Sequence, residues 1–221
     1  MRQTFIFLLW FFLVSGVIPN EEKKAAHSDF AHQRKFDCVG QILVNQNTIA
    51  SCVLISEDWV ITAAHIFEDE DFSSVKVVLG GKAYSIDTLF IHPKYERKDL
   101  DMALIKLVES VENCAPAKLF FGDNELGKVC EIVGWGVYGT AFKPSIDTNA
   151  TKMGGTNSIE QVGGKVKNRN FKVDNNTLLT DFESLEIPRS NSVGKMQPAD
   201  LEFGINGGDS GGGLFIEVDG D

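Results

Sequence analysis

The most informative stretch of the sequence is Gly207-Gly208-Asp209-Ser210-Gly211-Gly212-Gly213, near the C-terminus. Glycine runs occur where the backbone must adopt positive φ angles or where another group must approach closely. A serine in such a turn can present its hydroxyl while neighbouring N–H groups converge on one point, as an acyl-transfer nucleophile and its oxyanion hole require. The alternative is a glycine-rich loop without chemistry, so the assignment depends on finding a base and an orienting acid elsewhere.

The length and composition are those of an ordinary globular protein. The chain has 221 residues, enough for one large or two small domains, and 43% of them are hydrophobic and 24% charged. The formal net charge of −10 repels phosphate groups and therefore argues against a nucleic-acid partner.

The N-terminus has the pattern of a secretory signal peptide. Arg2 supplies a positive charge, and an almost unbroken apolar run covers residues 5–18. This run is too short to span a bilayer but suits the apolar region of a signal peptide. Val14 and Gly16 fit the small-residue rule for cleavage, which predicts a signal peptide at residues 1–16 and a secreted, extracellular mature protein. A signal anchor is the alternative.

From residue 38 onward, short β-rich runs are separated by turn residues. They predict strands at Gln41–Val44, Ile49–Ile55, Trp59–Thr62, Val75–Leu79, Tyr84–Ile91, Ala103–Val108 and Glu131–Val133. Inside the polar stretch 138–198, further strands are predicted at Thr156–Val162, Lys165–Val173 and Thr177–Phe182. Residues 20–37 show no sustained period and are predicted to be irregular. The close spacing of the strands, without helical stretches between them, indicates an all-β barrel or sandwich.

Two upstream motifs supply a base and an acid. Trp59-Val60-Ile61-Thr62-Ala63-Ala64-His65 ends an apolar strand on an imidazole, and Asp101 directly precedes the apolar strand that begins at Ala103. Taken singly, the histidine would be structural and the aspartate a turn or cap residue. Together they meet the needs of a nucleophilic serine, because the base requires an acid that fixes its tautomer. Asp99 is the rival acid.

The order His, Asp, Ser with these flanks resembles that of the trypsin/chymotrypsin-like serine peptidases, from about residue 29 to the end of the chain. The resemblance is carried by Thr62-Ala63-Ala64-His65, Asp101-Met102-Ala103-Leu104 and Gly208-Asp209-Ser210-Gly211-Gly212. It implies two six-stranded antiparallel Greek-key barrels, the first at residues 38–121 and the second at 122–221, preceded by an N-terminal segment at 17–37. It also implies that Asp101, which fits the family pattern Asp-x-Ala-Leu, is the triad acid rather than Asp99.

The resemblance assigns a role to each site residue. Ser210 would be the nucleophile, His65 the general base and then acid, and Asp101 the orienting carboxylate. The backbone N–H groups of Gly208 and Ser210 would form the oxyanion hole. Asp209 matches the family residue that pairs with a new N-terminal ammonium and thereby activates the enzyme.

The specificity and activation regions depart from the family pattern. Gly204 stands at the base of the primary specificity pocket, where trypsin-like enzymes carry an acid, which argues against a preference for Lys or Arg. Glu202, two residues away, keeps that question open. The usual activation sequence is absent, and spacing suggests that signal removal itself frees Val17-Ile18, whose ammonium then reaches Asp209.

The cysteines also depart from the family. Cys38, Cys52, Cys114 and Cys130 allow three full pairings, among which the sequence does not choose, and disulfide formation is expected in a secreted protein. Ala50 and Ile66 replace the disulfide that usually flanks the histidine. Cys130 lacks its family partner, because Ile216 occupies that position, and Cys52 is predicted to be a buried thiol.

Only 11 residues follow Ser210, whereas family members continue well beyond this point. We therefore expect a fragment with an incomplete second barrel; a short variant, in which the stretch 138–198 replaces the missing strands, is the alternative.

Two functions remain open at this point. The first is a secreted serine endopeptidase that acts through an acyl-enzyme on a protein or peptide substrate, and the second is a catalytically silent homologue that acts as a binding or regulatory module. No cofactor or metal is expected, since the acidic run Glu68-Asp69-Glu70-Asp71 is better explained as a solvated loop than as a Ca²⁺ site. We further expect a monomer without membrane contact after signal cleavage, with a protein inhibitor as an additional candidate partner.

Overall fold

The computed structural model describes residues 3–6, 23–68, 74–95, 100–139, 149–166, 171–181 and 199–218. Its architecture is mostly β, with a closed barrel in the first half of the chain and a second sheet built largely from the other half. The prediction of an all-β class is therefore confirmed.

The first half forms a closed antiparallel barrel of six strands. They are β2 (Val39–Val44), β3 (Asn47–Ser56), β4 (Trp59–Thr62), β5 (Val75–Leu79), β6 (Lys82–Ile91) and β7 (Ala103–Leu107), joined in the order β2-β3-β4-β7-β6-β5. All six were predicted, with bounds that differ by at most two residues. Buried residues alternate with more exposed ones along β5 and β7, so that one face of each strand fills the barrel interior.

The second sheet contains five strands in the order β10-β9-β13-β1-β8. They are β1 (Gln3–Ile6), β8 (Lys118–Leu119), β9 (Val129–Val137), β10 (Ala150–Ser158) and β13 (Gly213–Glu217). β1 lies within the predicted signal peptide and pairs antiparallel with β13 and parallel with β8. β11 (Gln161–Lys165) and β12 (Lys172–Leu179) form a separate hairpin.

The predictions within the polar stretch were wrong in their bounds. The strand predicted at Thr156–Val162 is divided between β10, which ends at Ser158, and β11, which begins at Gln161. The strand predicted at Lys165–Val173 spans the connection between β11 and β12. Pairing with β9 over nine residues fixes the position of β10, and such long-range pairing leaves no local signal in a sequence rich in glycine and asparagine.

The N-terminal segment at 20–37, predicted to be irregular, contains the helix α1 (Lys24–Ala31) and a 3₁₀ turn at Arg34–Phe36. α1 has no side-chain cap and no acidic residue in its first turn, which explains why no start signal was visible. The helix is held instead by tertiary packing, because it buries His27 and Ala31 against β10.

Candidate active site

Pairing of β4 with β7 brings the predicted base and acid together. Thr62, the last residue of β4, lies opposite Ala103, the first residue of β7. His65 follows β4 in a 3₁₀ turn, and Asp101 lies just before β7. The two side chains therefore meet at the same edge of the barrel.

Asp101 holds His65 through both of its carboxylate oxygens. Oδ2 lies 2.5 Å from Nδ1 of the imidazole, and Oδ1 accepts a hydrogen bond of 2.8 Å from the backbone N–H of His65. This two-point contact fixes the orientation of the ring and favours the tautomer that carries its proton on Nδ1. The Nε2 atom is then the ring nitrogen suited to exchange a proton with a nucleophile. The rival acid, Asp99, lies outside the described residues.

The loop that carries Ser210 is attached to the first barrel through Ser51 on β3. The backbone N–H of Ser51 donates to the carbonyl of Ser210 at 2.7 Å, and its hydroxyl donates to the carbonyl of Gly208 at 2.9 Å. Thr62, three residues before His65, donates in turn to the carbonyl of Ser51 at 2.7 Å. The serine loop and the histidine thus share one hydrogen-bonded framework.

Two glycines of the loop have positive φ angles, +90° at Gly208 and +81° at Gly211. At Gly211 a side chain would also collide with Thr62 and with the carbonyl of Ser51, so that position requires glycine for its conformation and for space. In the described part of the chain, the N–H groups of Gly208 and Ser210 donate to no protein acceptor. Ser210 itself is only 6% exposed, so the loop does not leave the serine as open as the sequence suggested.

Asp209 points away from solvent into a space lined by two glycines of β9. A Cβ atom on Gly136 would come within 2.6 Å of Oδ1 of Asp209, and one on Gly134 would also collide with this carboxylate. The Gly134-Trp135-Gly136 sequence is therefore required for the close approach of Asp209. The sequence contains no signal that connects this part of β9 with the loop of Asp209.

Burial raises the pKa of Asp209 to about 7, although hydrogen bonds from the backbone of Asn206 and Gly136 oppose the shift. Asn206 N–H donates to Oδ2 at 2.8 Å, whereas Oδ1 has no hydrogen-bond partner among the described residues. No ion pair to Asp209 occurs among these residues either. The charged form of a carboxylate buried in this way is costly unless a cation or further hydrogen bonds compensate for the lost solvation.

The segment before the serine loop is attached to β10. Thr156 accepts a hydrogen bond from Phe203 and donates one to the carbonyl of Leu201. Gly204 follows Phe203 and is half-buried, whereas Glu202 is fully buried. The structure thus places Gly204 on the segment that leads into the serine loop. Residues Val17 and Ile18, predicted to pair with Asp209, lie outside the described residues.

Of the acidic run that follows the histidine, Glu68 is described and accepts a hydrogen bond from the hydroxyl of Tyr95, while 69–71 lie outside the described residues. Across the described ranges, no group of three or more His, Cys, Asp or Glu side chains could hold a metal ion. No helix in the described part of the chain is long and apolar enough to cross a membrane.

Sequence comparisons identify serine proteases as relatives. The trypsin family model matches residues 26–219. The chain is 32% identical over 109 residues to the human atrial natriuretic peptide-converting enzyme, a match that covers 41% of this chain and 10% of the relative. It is 38% identical over 96 residues to snake venom serine protease 2 of Protobothrops jerdonii, with 38% and 37% of the two chains covered. The matches thus span well under half of these relatives.

Structural comparison finds the same fold. The solved structure of neuropsin, a serine protease expressed in the limbic system of mouse brain, superimposes with a TM-score of 0.54 at 20% identity, covering 85% of this chain and 79% of neuropsin. The family-model match covers most of the chain and includes His65, Asp101 and Ser210. The chain therefore belongs to the trypsin family of serine proteases.

Proposed function

We propose that this protein is a secreted serine endopeptidase that hydrolyses peptide bonds through a Ser210-His65-Asp101 triad. The observation that carries the proposal is the two-point contact between Asp101 and His65, on the same framework that holds the loop of Ser210. An aspartate that only capped a turn would not need to engage both the imidazole and the backbone N–H of one histidine.

The reaction would follow from this geometry in two stages. The hydroxyl of Ser210 attacks the scissile carbonyl carbon while Nε2 of His65 accepts its proton, and Asp101 stabilises the imidazolium. The N–H groups of Gly208 and Ser210 bind the oxyanion, an interaction worth about 3–4 kcal/mol per donor. His65 then protonates the leaving amine, and a water molecule releases the acyl group by the same proton transfers in reverse.

Secretion and activation belong to the same proposal. Removal of residues 1–16 would take strand β1 from its place beside β13 and would produce an ammonium at Val17, which would pair with the buried carboxylate of Asp209. The raised pKa of Asp209 supports this step, because the carboxylate is buried without an ion-pair partner among the described residues. N-terminal sequencing of the secreted protein tests the step, and a start far from Val17 would refute it.

A fluorophosphonate probe tests the catalytic proposal. The purified secreted protein should be labelled at Ser210, and the Ser210→Ala variant should not be labelled. Circular dichroism of both proteins checks that they are folded. A folded wild-type protein that begins at Val17 and remains unlabelled would refute catalysis and favour the binding or regulatory module, a function that the low exposure of Ser210 would also suit.

The residue preferred before the scissile bond depends on the base of the specificity pocket. With Gly204 in place of an acid, we propose that the pocket does not favour Lys or Arg before the scissile bond. A peptide library read by mass spectrometry tests this, and a dominant preference for a basic residue would contradict it and implicate Glu202.

A further inference from the structure

Three thiols and one ammonium are buried in the same region of the molecule. Cys38, Cys52 and Cys114 belong to the core of the first barrel, and Lys152 on β10 is only 5% exposed. The ammonium of Lys152 donates to the carbonyl of Phe36 at 2.8 Å, and no salt bridge joins it to a carboxylate among the described residues. Burial lowers the pKa of Lys152, while the nearby thiols and the carboxylate of Asp37 oppose the shift. The proposed catalytic mechanism uses none of these groups.

Backbone hydrogen bonds place the chain at Cys38 beside the loop that contains Cys114. The N–H of Leu54 on β3 donates to the carbonyl of Cys38 at 2.9 Å. The carbonyl of Leu54 accepts a hydrogen bond from the N–H of Ala117 at 2.8 Å. The N–H and carbonyl of one strand residue point to the same side of the strand. Cys38 and Ala117 therefore lie next to each other along one edge of β3, and Cys114 is three residues before Ala117.

The turn between β5 and β6 gives a second, independent reference point. The register of β2 with β5 ends at Gln41 opposite Val78. A Cβ atom on Gly40 would collide with the carbonyl of Val78 and the side chain of Leu79, so the chain at Val39 approaches the turn that begins at Gly80. The sulfur of Cys114 lies 3.1 Å from the position that a Cβ atom on Gly80 would occupy. The residue next to Val39 is Cys38, so both cysteines approach the same turn.

The other two cysteines are placed differently. Gly40 pairs with Cys52, which makes Cys52 a diagonal neighbour of Cys38 across β2 and β3. Diagonal neighbours are about 7–8 Å apart, whereas a disulfide needs Cβ atoms about 3.5–4.5 Å apart. Cys130 lies opposite Ile216 in the second sheet, and its thiol contacts the carbonyl of Asn157 at 3.4 Å.

We propose that Cys38 and Cys114 form a disulfide that joins the start of β2 to the loop after β7, while Cys52 and Cys130 remain thiols. In the structure all four cysteines are reduced. Oxidation removes two protons and two electrons from the two thiols and forms one S–S bond. A disulfide-bearing oxidant of the secretory compartment accepts them and is reduced to two thiols.

The surroundings indicate when the bond forms. Burial raises the pKa of Cys38 to about 12, so the thiolate that exchange requires is scarce once the barrel has closed. Lys152 opposes this effect at Cys38 and at Cys114. We therefore expect the pair to oxidise during folding and the finished bond to resist reduction until the protein unfolds.

Peptide mapping tests the pairing directly. The full chain is produced in an oxidising compartment, denatured, alkylated with iodoacetamide without reductant, and digested for mass spectrometry. We expect one linked peptide pair that contains Cys38 and Cys114, and alkylated Cys52 and Cys130. Four alkylated cysteines, a mixture of linkages, or any link to Cys52 or Cys130 would overturn the proposal.

Thermal unfolding of the oxidised protein, and of protein that has been unfolded and refolded in reductant, gives a second readout. A disulfide that closes a loop of roughly 75 residues should raise the melting temperature by roughly 5–15 °C in a domain of this size. We expect this difference in the wild type and in Cys52→Ala, the control, but not in Cys38→Ala or Cys114→Ala. The decreases in melting temperature caused by Cys38→Ala and by Cys114→Ala should not add in the double variant. Additive losses, or a reductant effect that persists in Cys38→Ala, would contradict the proposed bond.

Discussion

Replacement of Asp209 by asparagine should make the protein more stable at neutral pH, by an amount that depends on pH. The folded protein raises the pKa of this carboxyl to about 7, from an ordinary value of 3.8. Between these values the folded state binds more protons than the unfolded state. The contribution of Asp209 to the free energy of unfolding is therefore fully present below pH 3.8 and is lost as the pH rises through 7.

The size of the effect follows from the shift. A difference of about three pKa units corresponds to about 4 kcal/mol, and Asp209 is too deeply buried for solvent to reduce this greatly. Asparagine keeps the shape of the side chain but does not titrate. The unfolding free energy of Asp209→Asn minus that of the wild type should thus rise by about 4 kcal/mol between pH 4 and pH 8.

Urea unfolding followed by tryptophan fluorescence at several pH values measures this difference, since the chain has three tryptophans. Asp200→Asn is the control, because Asp200 is exposed and loses the same charge. For the chain that begins at Met1, a difference in unfolding free energy that does not change with pH, or that falls as the pH rises, would refute the raised pKa of Asp209. In the chain that begins at Val17, pairing with the ammonium should reverse the sign, and an unchanged sign would refute the proposed activation.

Three further predictions concern the framework of the site. Asp101→Asn should reduce the rate of fluorophosphonate labelling by about 10⁴-fold, because the amide favours the wrong tautomer of the imidazole, and a reduction below about tenfold would contradict its role. Gly211→Ala should lower the free energy of unfolding in urea by more than about 3 kcal/mol, since the added methyl group collides with Thr62. Gly81→Ala, with nearly the same φ angle and open space, should cost only about 1 kcal/mol. Ser51→Ala should lower the free energy of unfolding by about 1–3 kcal/mol and slow the labelling, because it leaves the part-buried carbonyl of Gly208 and N–H of Trp135 without their hydrogen bonds to the hydroxyl; equal labelling rates would argue against its positioning role.

The sequence predicted the first barrel because its strand signals are local. β5 and β7 are short, almost continuously apolar runs along which buried residues alternate with more exposed ones, and the antiparallel pairing of β4 with β7 is enough to bring His65 to Asp101. In β10 the central residues are Met153, Gly154 and Gly155, whose burial depends on β9 and α1 rather than on any period. Local reasoning therefore failed where distant segments decide the structure.

The candidate site divides in the same way. The residue types and their order identify Ser210, His65 and Asp101, because the chemistry restricts which side chains can serve. The contacts that hold them do not have such a signature. Ser51 acts through its backbone and hydroxyl, and the sequence gives no reason to prefer it to any other serine in a strand.

The N-terminal segment has a structural role that its composition concealed. His27 binds the carbonyl of Gly154 at 2.8 Å, Lys35 pairs with Glu131 at 2.5 Å, and the carbonyl of Phe36 accepts from Lys152. All three contacts reach β9 or β10 of the second sheet.

The same segment continues directly into β2 of the first barrel. The triad is divided between these halves, with His65 and Asp101 on the barrel and Ser210 on the loop that leads into β13. The segment at 23–37 adds to the polar contacts that join the sheet to the barrel, which also include those of Ser51 and the hydrogen bond from the indole N–H of Trp135 to the carbonyl of Val39. A stretch without caps or a sustained period can thus fix the relative position of a nucleophile and its base.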